Sequence, residues 1–186
     1  EGILQAKHRQ TGVLDEVKML NNGLIKIYFG EGKGKSMASL GRAMICASEG
    51  REVFVVQFLK GRMDGNLEYL QRLEPEMKIF RFEKADGYFE NLNEEEKKDE
   101  IQNILNGLNF VHKVLSIGEC DVLVLDEVLG LVDLGIISVE DLIRLIERKS
   151  ESVELIMTGR NLPDHLMDYA DYVSRMEIIK SDQLSV

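Results

Sequence analysis

The stretch FGEGKGKS, residues 29–36, has the composition of a phosphate-binding loop and lies between a predicted strand and a predicted helix. Such loops commonly follow the pattern G-x-x-x-x-G-K-[ST], in which backbone N–H groups and a lysine surround phosphate oxygens. Counting back five positions from Gly34 puts Phe29 in the first glycine position. The stretch therefore predicts phosphate binding and leaves open how the phosphates are used.

The segments on either side supply the setting that such a loop needs. LIKIYF, residues 24–29, is predicted to be a strand. After the loop, helical spacing predicts a helix, and the residues that show this spacing are Met37, Leu40, Gly41, Met44, Ile45 and Ser48. In a strand–loop–helix unit Lys35 offers a mobile cation, and the Ser36 hydroxyl can ligate Mg²⁺.

Apolar runs alternate with helical patterns along the chain, which is typical of a parallel sheet with crossover helices. Further strands are predicted at residues 52–58, 77–82, 121–127, 153–157 and 171–179. Two helix starts carry capping pairs, namely Asn93 with Glu96 and Ser138 with Asp141. The expected fold is α/β, with a mostly parallel sheet of about six strands and helices on both faces.

The domain organisation follows from what precedes and follows these elements. Residues 1–22 are polar and are predicted to form an N-terminal arm, residues 23–180 the single folded domain, and residues 181–186 a C-terminal tail. Residues 60–92 contain scattered glycines and aromatics and are predicted to be a loop-rich insertion between strands.

Composition excludes some classes of function. Lysine and arginine number 23 against 33 acidic residues, a formal charge of −10, which argues against binding nucleic acid or an anionic membrane. Cys46 and Cys120 are isolated, so neither a disulfide nor a zinc site is expected. No apolar run reaches the roughly 20 residues of a membrane span and no signal-peptide pattern is present, so a cytoplasmic protein is expected.

Two further motifs carry charged residues at the ends of predicted strands. VLVLDE, residues 122–127, ends in Asp126 and Glu127, which can complete a Mg²⁺ shell opposite the glycine loop. The strand predicted at residues 153–157 is followed by a Thr-Gly-Arg turn that contains Arg160. The strand predicted at residues 52–58 is followed by Lys60. Because ligands bind at the carboxyl ends of parallel strands, these side chains should share one edge of the sheet. A kinase, an ATPase switch and an alkyl transferase all remain open.

The combination of GEGKGKS with VQFLKG (residues 56–61), VLVLDE and Thr-Gly-Arg (residues 158–160) resembles the P-loop family of ATP:corrinoid adenosyltransferases across residues 23–180. That family also has a non-glycine residue where Phe29 stands. The resemblance implies a RecA-like P-loop NTPase fold. It further implies that cobalt(I) of a reduced corrinoid attacks C5′ of ATP and displaces triphosphate, so that no side chain acts as nucleophile.

The resemblance also implies which residues form the site. Mg²⁺ is expected on Ser36 and Glu127, with Asp126 in the second shell, while Lys35 and Arg160 stabilise the leaving triphosphate. Tyr88 and Phe89 are expected to bind the corrinoid. ATP is expected to contact Gly30, Glu31, Gly32, Lys33, Gly34, Lys35, Ser36, Met37, Lys60 and Arg160.

Partners implied by the resemblance are ATP, a reduced corrinoid, an electron donor that reduces cobalt, and a second copy of the chain in a homodimer, with the N-terminal arm over a nucleotide site. The chain departs from the family at a few positions. Glu31 stands where relatives often have asparagine, and Ile45 where they often have arginine, with Arg42 one turn earlier. Two other functions remain open: a P-loop ATPase or phosphotransferase, and a non-catalytic protein that binds ATP or corrinoid.

Overall fold

The computed structural model describes residues 23–32, 34–59, 71–82 and 89–180. The predicted arm (residues 1–22), the predicted tail (residues 181–186) and about half of the predicted insertion (residues 60–70 and 83–88) lie outside the described residues. The strands are β1 (Ile25–Phe29), β2 (Val53–Gln57), β3 (Met77–Arg81), β4 (Val122–Asp126), β5 (Glu154–Gly159) and β6 (Tyr172–Arg175).

These six strands form one sheet in the order β3-β2-β4-β5-β1-β6. Every pairing between neighbouring strands is parallel. Because all strands point the same way, their carboxyl ends lie along one edge of the sheet, and the glycine loop follows β1 at that edge. The prediction of an α/β fold with a mostly parallel sheet of about six strands is confirmed.

Helices cover both faces of the sheet. They are α1 (Gly34–Ser48), α2 (Glu94–Ile117), α3 (Val128–Asp133), α4 (Val139–Glu147) and α5 (Asp164–Met167). Alternate residues of β2 point to opposite faces: Phe54 and Val56 join the core beneath α2, α3 and α4, whereas Val53 and Val55 join the core beneath α1. The strands β2 and β4 are buried along their whole length, which explains their continuous apolar runs.

Helix starts were predicted correctly where a capping pair marked them. The Asn93 side chain accepts from the backbone of Glu95 and Glu96 at the start of α2, and Glu96 closes the reciprocal bond. Ser138 and Asp141 form the same arrangement at α4. In both cases polar side chains satisfy N–H groups that a helix start leaves without an intrahelical partner.

The helix predicted after the glycine loop is confirmed as α1, but several of the apolar residues that marked it do not lie on its buried face. Met37 is 75% exposed, and Met44 and Ile45 are also exposed. The buried face instead carries small side chains, among them Ser39, Ala43 and Cys46, along with Lys35. Small residues let α1 approach the strands beneath it closely, and this packing requirement outweighs the hydrophobicity of the longer side chains.

Two strand ends differ from the prediction because of what lies beside them. β5 continues to Gly159, since Thr158 and Gly159 pair with the last two residues of β1. A Cβ atom at Gly159 would lie 2.4 Å from Cβ of Leu129, so glycine lets α3 pack directly on this strand end. β6 ends at Arg175 rather than at residue 179; the next residue, Met176, donates its N–H to the end of β1 and accepts from Gly32 in the glycine loop.

Candidate active site

The glycine loop is held against the end of β6 by its backbone. The N–H of Met176 donates to the carbonyl of Phe29 at 2.7 Å, and the N–H of Gly32 donates to the carbonyl of Met176 at 3.1 Å. Gly30 has φ +117°, and a Cβ atom there would lie 2.3 Å from the Met176 carbonyl oxygen. These glycines are therefore required by close packing against Met176 as well as by any phosphate.

Lys35 is folded back onto the loop that precedes it. Its Nζ donates to the carbonyl oxygens of Gly30 at 2.7 Å and of Gly32 at 2.9 Å, and the residue is only 8% exposed. The ammonium thus bridges two carbonyl groups in the first half of the loop. A phosphate group seated on the loop would offer this cation stronger, charged acceptors than the two carbonyls.

The buried carboxylate of Asp126 joins residues from four separate motifs. Its Oδ1 accepts from Ser36 Oγ at 2.8 Å and from Thr158 Oγ1 at 2.7 Å. Its Oδ2 accepts from Gln57 Nε2 at 3.2 Å. Asp126 and Thr158 are fully buried and Gln57 nearly so. Charge-assisted hydrogen bonds in such surroundings fix the position of the Ser36 hydroxyl at the start of α1.

Glu127 lies just beyond β4 in an unusual backbone conformation. Its φ and ψ are 61° and 21°, the left-handed region that costs a non-glycine residue of order 1 kcal/mol. Its N–H donates to Oγ1 of Thr158 at 2.8 Å. This turn directs the Glu127 side chain away from the strand and towards Gly130 in the first turn of α3.

Arg160 and Glu31 face each other across the mouth of the loop. Arg160 Nε lies 3.5 Å from Glu31 Oε2, and the two side chains are 65% and 70% exposed. An acid beside a phosphate site is unexpected, because it repels the phosphate. Glu31 has a cationic partner in Arg160 of the Thr-Gly-Arg turn. The expectation that this turn and the loop share one edge of the sheet is confirmed by this contact.

The oxygen atoms at this edge fit a Mg²⁺ ion. Ser36, Asp126 and Glu127 supply only hydroxyl and carboxylate oxygens, the hard ligands that Mg²⁺ prefers. No group of three or more His, Cys, Asp or Glu side chains that could hold a metal occurs within the described ranges. An ion that keeps several waters and takes its other ligands from substrate phosphates suits so small a set of protein oxygens.

The other predicted site residues are dispersed or undescribed. Met37 lies on the solvent side of α1. Phe89 is half-buried and begins a short 3₁₀ turn, Phe89–Asn91, ahead of α2. The predicted ATP residues Lys33 and Lys60 and the predicted corrinoid residue Tyr88 lie outside the described residues. The structure therefore joins Ser36 directly to Asp126 and Arg160 directly to Glu31, with Lys35 and Glu127 at the same edge of the sheet.

Sequence reasoning missed the parts played by Gln57 and Thr158, although both stand in the motifs quoted for the resemblance. The available signal was a polar side chain at the end of an otherwise apolar strand, where burial requires a hydrogen-bond partner.

Sequence reasoning also missed a buried ion cluster at the opposite edge of the sheet. Glu154, fully buried, accepts from Lys26 at 2.7 Å, from Arg51 at 2.7 Å and from Arg42 at 3.0 Å or slightly more. Burial alone would raise the pKa of this carboxyl, but hydrogen bonds from Arg42, Lys26 and Arg51 outweigh it and lower the pKa to about 2. Arg42 is therefore engaged far from the loop and does not replace an arginine at the position of Ile45.

The parallel sheet, the glycine loop between β1 and α1 and the bond from Ser36 to the acid at the end of β4 are the arrangement of the P-loop class of α/β proteins. The family model described as "ATP:corrinoid adenosyltransferase BtuR/CobO/CobP" matches residues 21–183. The chain belongs to this family.

The individual relatives have about a quarter to a third of their aligned residues in common with this chain, and they are longer than the aligned region. The uncharacterized protein all2391 of Nostoc is 32% identical over 167 residues, which cover 83% of this chain and 44% of that protein. The corrinoid adenosyltransferase of Escherichia coli K12 is 26% identical over 158 residues, covering 85% of this chain and 78% of that enzyme. The chain thus spans less than half of the Nostoc protein and about three quarters of the enzyme.

Among solved structures, a DNA replication initiation factor superposes with a TM-score of 0.42 and 13% identity, over 93% of this chain and 46% of that chain. Similarity of this degree assigns no function. Within the part of the chain that the structure describes, no helix combines the length and the apolar character that crossing a membrane requires.

Proposed function

We propose that this protein transfers the 5′-deoxyadenosyl group of ATP to cobalt(I) of a reduced corrinoid. In this reaction cobalt(I) supplies the electron pair that forms the cobalt–carbon bond. The bond between C5′ and the oxygen of the α-phosphate breaks, and inorganic triphosphate leaves with the electron pair of that broken bond. Membership of the adenosyltransferase family and the names of the curated relatives support this reaction.

The single observation that carries the proposal is the convergence on Asp126. Ser36, Gln57 and Thr158 come from three different motifs of the resemblance, and each donates a hydrogen bond to this carboxylate. The bond between Ser36 and the acid would serve any P-loop enzyme, whereas Gln57 and Thr158 belong to the VQFLKG and Thr-Gly-Arg motifs on which the resemblance rests. The network therefore supports the family's reaction, because it joins the motifs that distinguish the family.

The role of the loop residues follows from the leaving group. Because triphosphate departs whole, the site must hold it and offset the charge that develops on it. Lys35 and Arg160 are the described cations for this task, with Lys33 and Lys60 as further expected contacts. Mg²⁺, held by Ser36 and Glu127 with Asp126 behind Ser36, would supply additional positive charge to the triphosphate.

The remaining parts of the proposal come from the resemblance. Tyr88 and Phe89 are expected to contact the corrinoid. An electron donor is expected to reduce the cobalt, and two copies of the chain are expected to form a dimer in the cytoplasm. Size-exclusion chromatography with light scattering tests the dimer directly, because it measures mass independently of activity.

Product analysis tests the reaction. Purified protein incubated in the dark with Mg-ATP and chemically reduced cobalamin should give a light-sensitive adenosylcorrinoid and one equivalent of triphosphate. ADP or AMP as the product would replace the proposal with a phosphotransferase or ATPase. Binding of ATP without turnover would indicate a non-catalytic ATP-binding protein.

The Lys35→Ala variant tests whether Lys35 stabilises the leaving triphosphate. We expect it to lower the transfer rate by about 100-fold or more while the far-UV circular dichroism stays unchanged, because the lost charge acts mainly on the transition state. Lys113→Ala, which removes an exposed lysine on α2, is the matched control and should retain activity. Equal activity in the two variants would refute the assigned role of Lys35.

A further inference from the structure

Arg81 is a cation at the carboxyl edge of the sheet, where the glycine loop also lies. The proposed function does not yet assign a role to Arg81. It is the last residue of β3, and its partner in the parallel pairing is Gln57, the last residue of β2. Arg81 Nε donates to Gln57 Oε1 at 2.8 Å. The same glutamine donates to Asp126, so one chain of hydrogen bonds runs from Arg81 to the carboxylate beside Ser36.

The guanidinium is held in place with most of its donors unused. Arginine has five N–H donors, and the bond to Gln57 uses only the one on Nε. Among residues 23–32, 34–59, 71–82 and 89–180, no carboxylate forms an ion pair with Arg81. Gln57 is itself 4% exposed and anchored, so the two Nη atoms of Arg81 form a preoriented fork.

Position in the sheet indicates which substrate this fork would meet. β3 is the outermost strand, two strands from β4 and four from β1. At the usual spacing of parallel strands, these separations are roughly 10 Å and 19 Å. A triphosphate seated on the loop after β1 and beside Ser36 would not reach Arg81. The nucleoside part of ATP carries no charge, so of the two proposed substrates only the corrinoid can bring an anion to Arg81.

We propose that Arg81 binds an anionic oxygen group on the periphery of the corrinoid acceptor, either a carboxylate or a phosphate. A guanidinium fork matches both groups through paired, charge-assisted hydrogen bonds. This inference rests on the proposed function, because it assigns one contact of the acceptor site. Arg81 thereby becomes a residue that selects among corrinoids by the charge of their side chains, in a protein whose net charge of −10 otherwise repels anions.

Equilibrium binding of unreacted cobalt(II) corrinoids, measured by absorbance or calorimetry, tests the assignment without turnover. Three probes separate the possible anions: a corrinoid with all side chains as amides and no phosphate, complete cobalamin with its phosphodiester, and a corrinoid with free carboxylates. We expect Arg81→Gln to raise the Kd of at least one anionic probe by about tenfold or more and to leave the Kd of the neutral probe unchanged. Whichever anionic probe responds identifies the group.

Lys78→Gln is the matched control, because it removes a cation from the same strand near the opposite edge of the sheet, where Lys78 pairs with Glu52. It should leave all three Kd values unchanged. An equal loss for all three corrinoids in Arg81→Gln, or a loss of ATP affinity, would overturn the assignment while leaving the proposed reaction intact. Absence of corrinoid binding by the wild-type protein would overturn both.

Discussion

The hydroxyl of Thr158 accepts the backbone N–H of Glu127 at 2.8 Å, and this bond links the end of β5 to the turn that leaves β4. Glu127 has a left-handed backbone there, which is unfavourable for a residue with a side chain. The same hydroxyl donates to Asp126 at 2.7 Å. The Thr158 side chain thus bonds to the backbone N–H of Glu127 and to the buried carboxylate of Asp126. Glu127 and Asp126 are the two acids that the site is expected to use.

Thr158→Val tests this arrangement, because it keeps the shape of the side chain and removes the hydroxyl. We expect a loss of about 1–3 kcal/mol in the free energy of unfolding by urea, since the part-buried N–H of Glu127 and the buried carboxylate of Asp126 each lose a partner. The Mg²⁺ concentration for half-maximal ATP binding should also rise. Thr158→Ser retains the hydroxyl and should restore the Mg²⁺ dependence; a valine variant with unaltered Mg²⁺ dependence would show that Thr158 has no influence on the acids.

Glu31→Gln tests the ion pair at the mouth of the loop. Because Glu31 and Arg160 are both largely exposed, their attraction in water is weak and Arg160 can leave it at little cost. Removing the acid frees the cation and takes a negative charge from beside the triphosphate. We expect the Kd for ATP to fall about twofold to fivefold at low salt, with the difference shrinking in about 0.5 M salt.

Glu52→Gln is the control for that measurement, because it removes the same charge from an exposed ion pair with Lys78 at the other edge of the sheet. It should leave the Kd for ATP unchanged. Weaker ATP binding by Glu31→Gln would mean that Glu31 orients Arg160 for binding rather than competing with the triphosphate.

The Glu154 cluster makes a prediction about acid stability. The pKa of Glu154 is lowered from 4.5 to about 2 in the folded protein, so the charged form is favoured by folding. Its contribution is fully present above the unfolded-state pKa near 4.5 and is lost as the pH falls towards 2. By linkage a shift of this size corresponds to about 3 kcal/mol.

Urea unfolding of the wild-type protein and of Glu154→Gln between pH 7 and pH 2 measures this contribution. The variant should lose about 3–5 kcal/mol at pH 7, because Lys26, Arg42 and Arg51 are left without their shared anion. Its stability should change less between pH 4.5 and pH 2 than that of the wild type. Glu119→Gln, at an exposed position after α2, should follow the wild-type curve; identical curves for all three proteins would show that the cluster has no such role.

Much of the fold could be predicted because a parallel sheet leaves a direct mark on the sequence. β2 and β4 are covered on both faces, so their residues form continuous apolar runs that no surface element would show. Capping pairs marked the starts of α2 and α4 for an equally local reason, since the side chains bond to the backbone of their own turn. Features that depend on residues close together in the sequence can therefore be predicted from it.

The buried face of α1 and the network around Asp126 depend instead on contacts between distant segments. On α1, apolar residues occur on several sides, and close approach to the sheet selected Ala43 and Cys46 rather than Met44 and Ile45. The Gln57–Asp126 bond exists because the β2–β4 register puts these residues side by side. A one-residue change of register would send one of the two side chains to the other face, and no local pattern in the sequence fixes that choice.

Two helical glycines provide a paired test of the packing. Gly41 in α1 has no described atom within 4 Å of where a Cβ would lie, whereas a Cβ at Gly107 in α2 would lie 2.6 Å from Cγ of Phe82. Alanine is favoured over glycine by about 1 kcal/mol in a helix interior, so Gly41→Ala should raise the free energy of unfolding by about 0.5–1 kcal/mol. Gly107→Ala gains the same propensity but crowds the ring, so it should lower the free energy of unfolding by about 1–3 kcal/mol.

Chemical denaturation of both variants checks these opposite signs. Because the clash at Gly107 involves the side chain of Phe82, which packs beside the ring of Phe110 at 5.7 Å between centroids, a smaller residue at position 82 should relieve it. The double variant Gly107→Ala with Phe82→Leu should therefore lose less stability than the sum of the two single variants, since alanine fills part of the space that the ring vacates. Additive losses would mean that Gly107 is needed for its backbone and not to make room for Phe82.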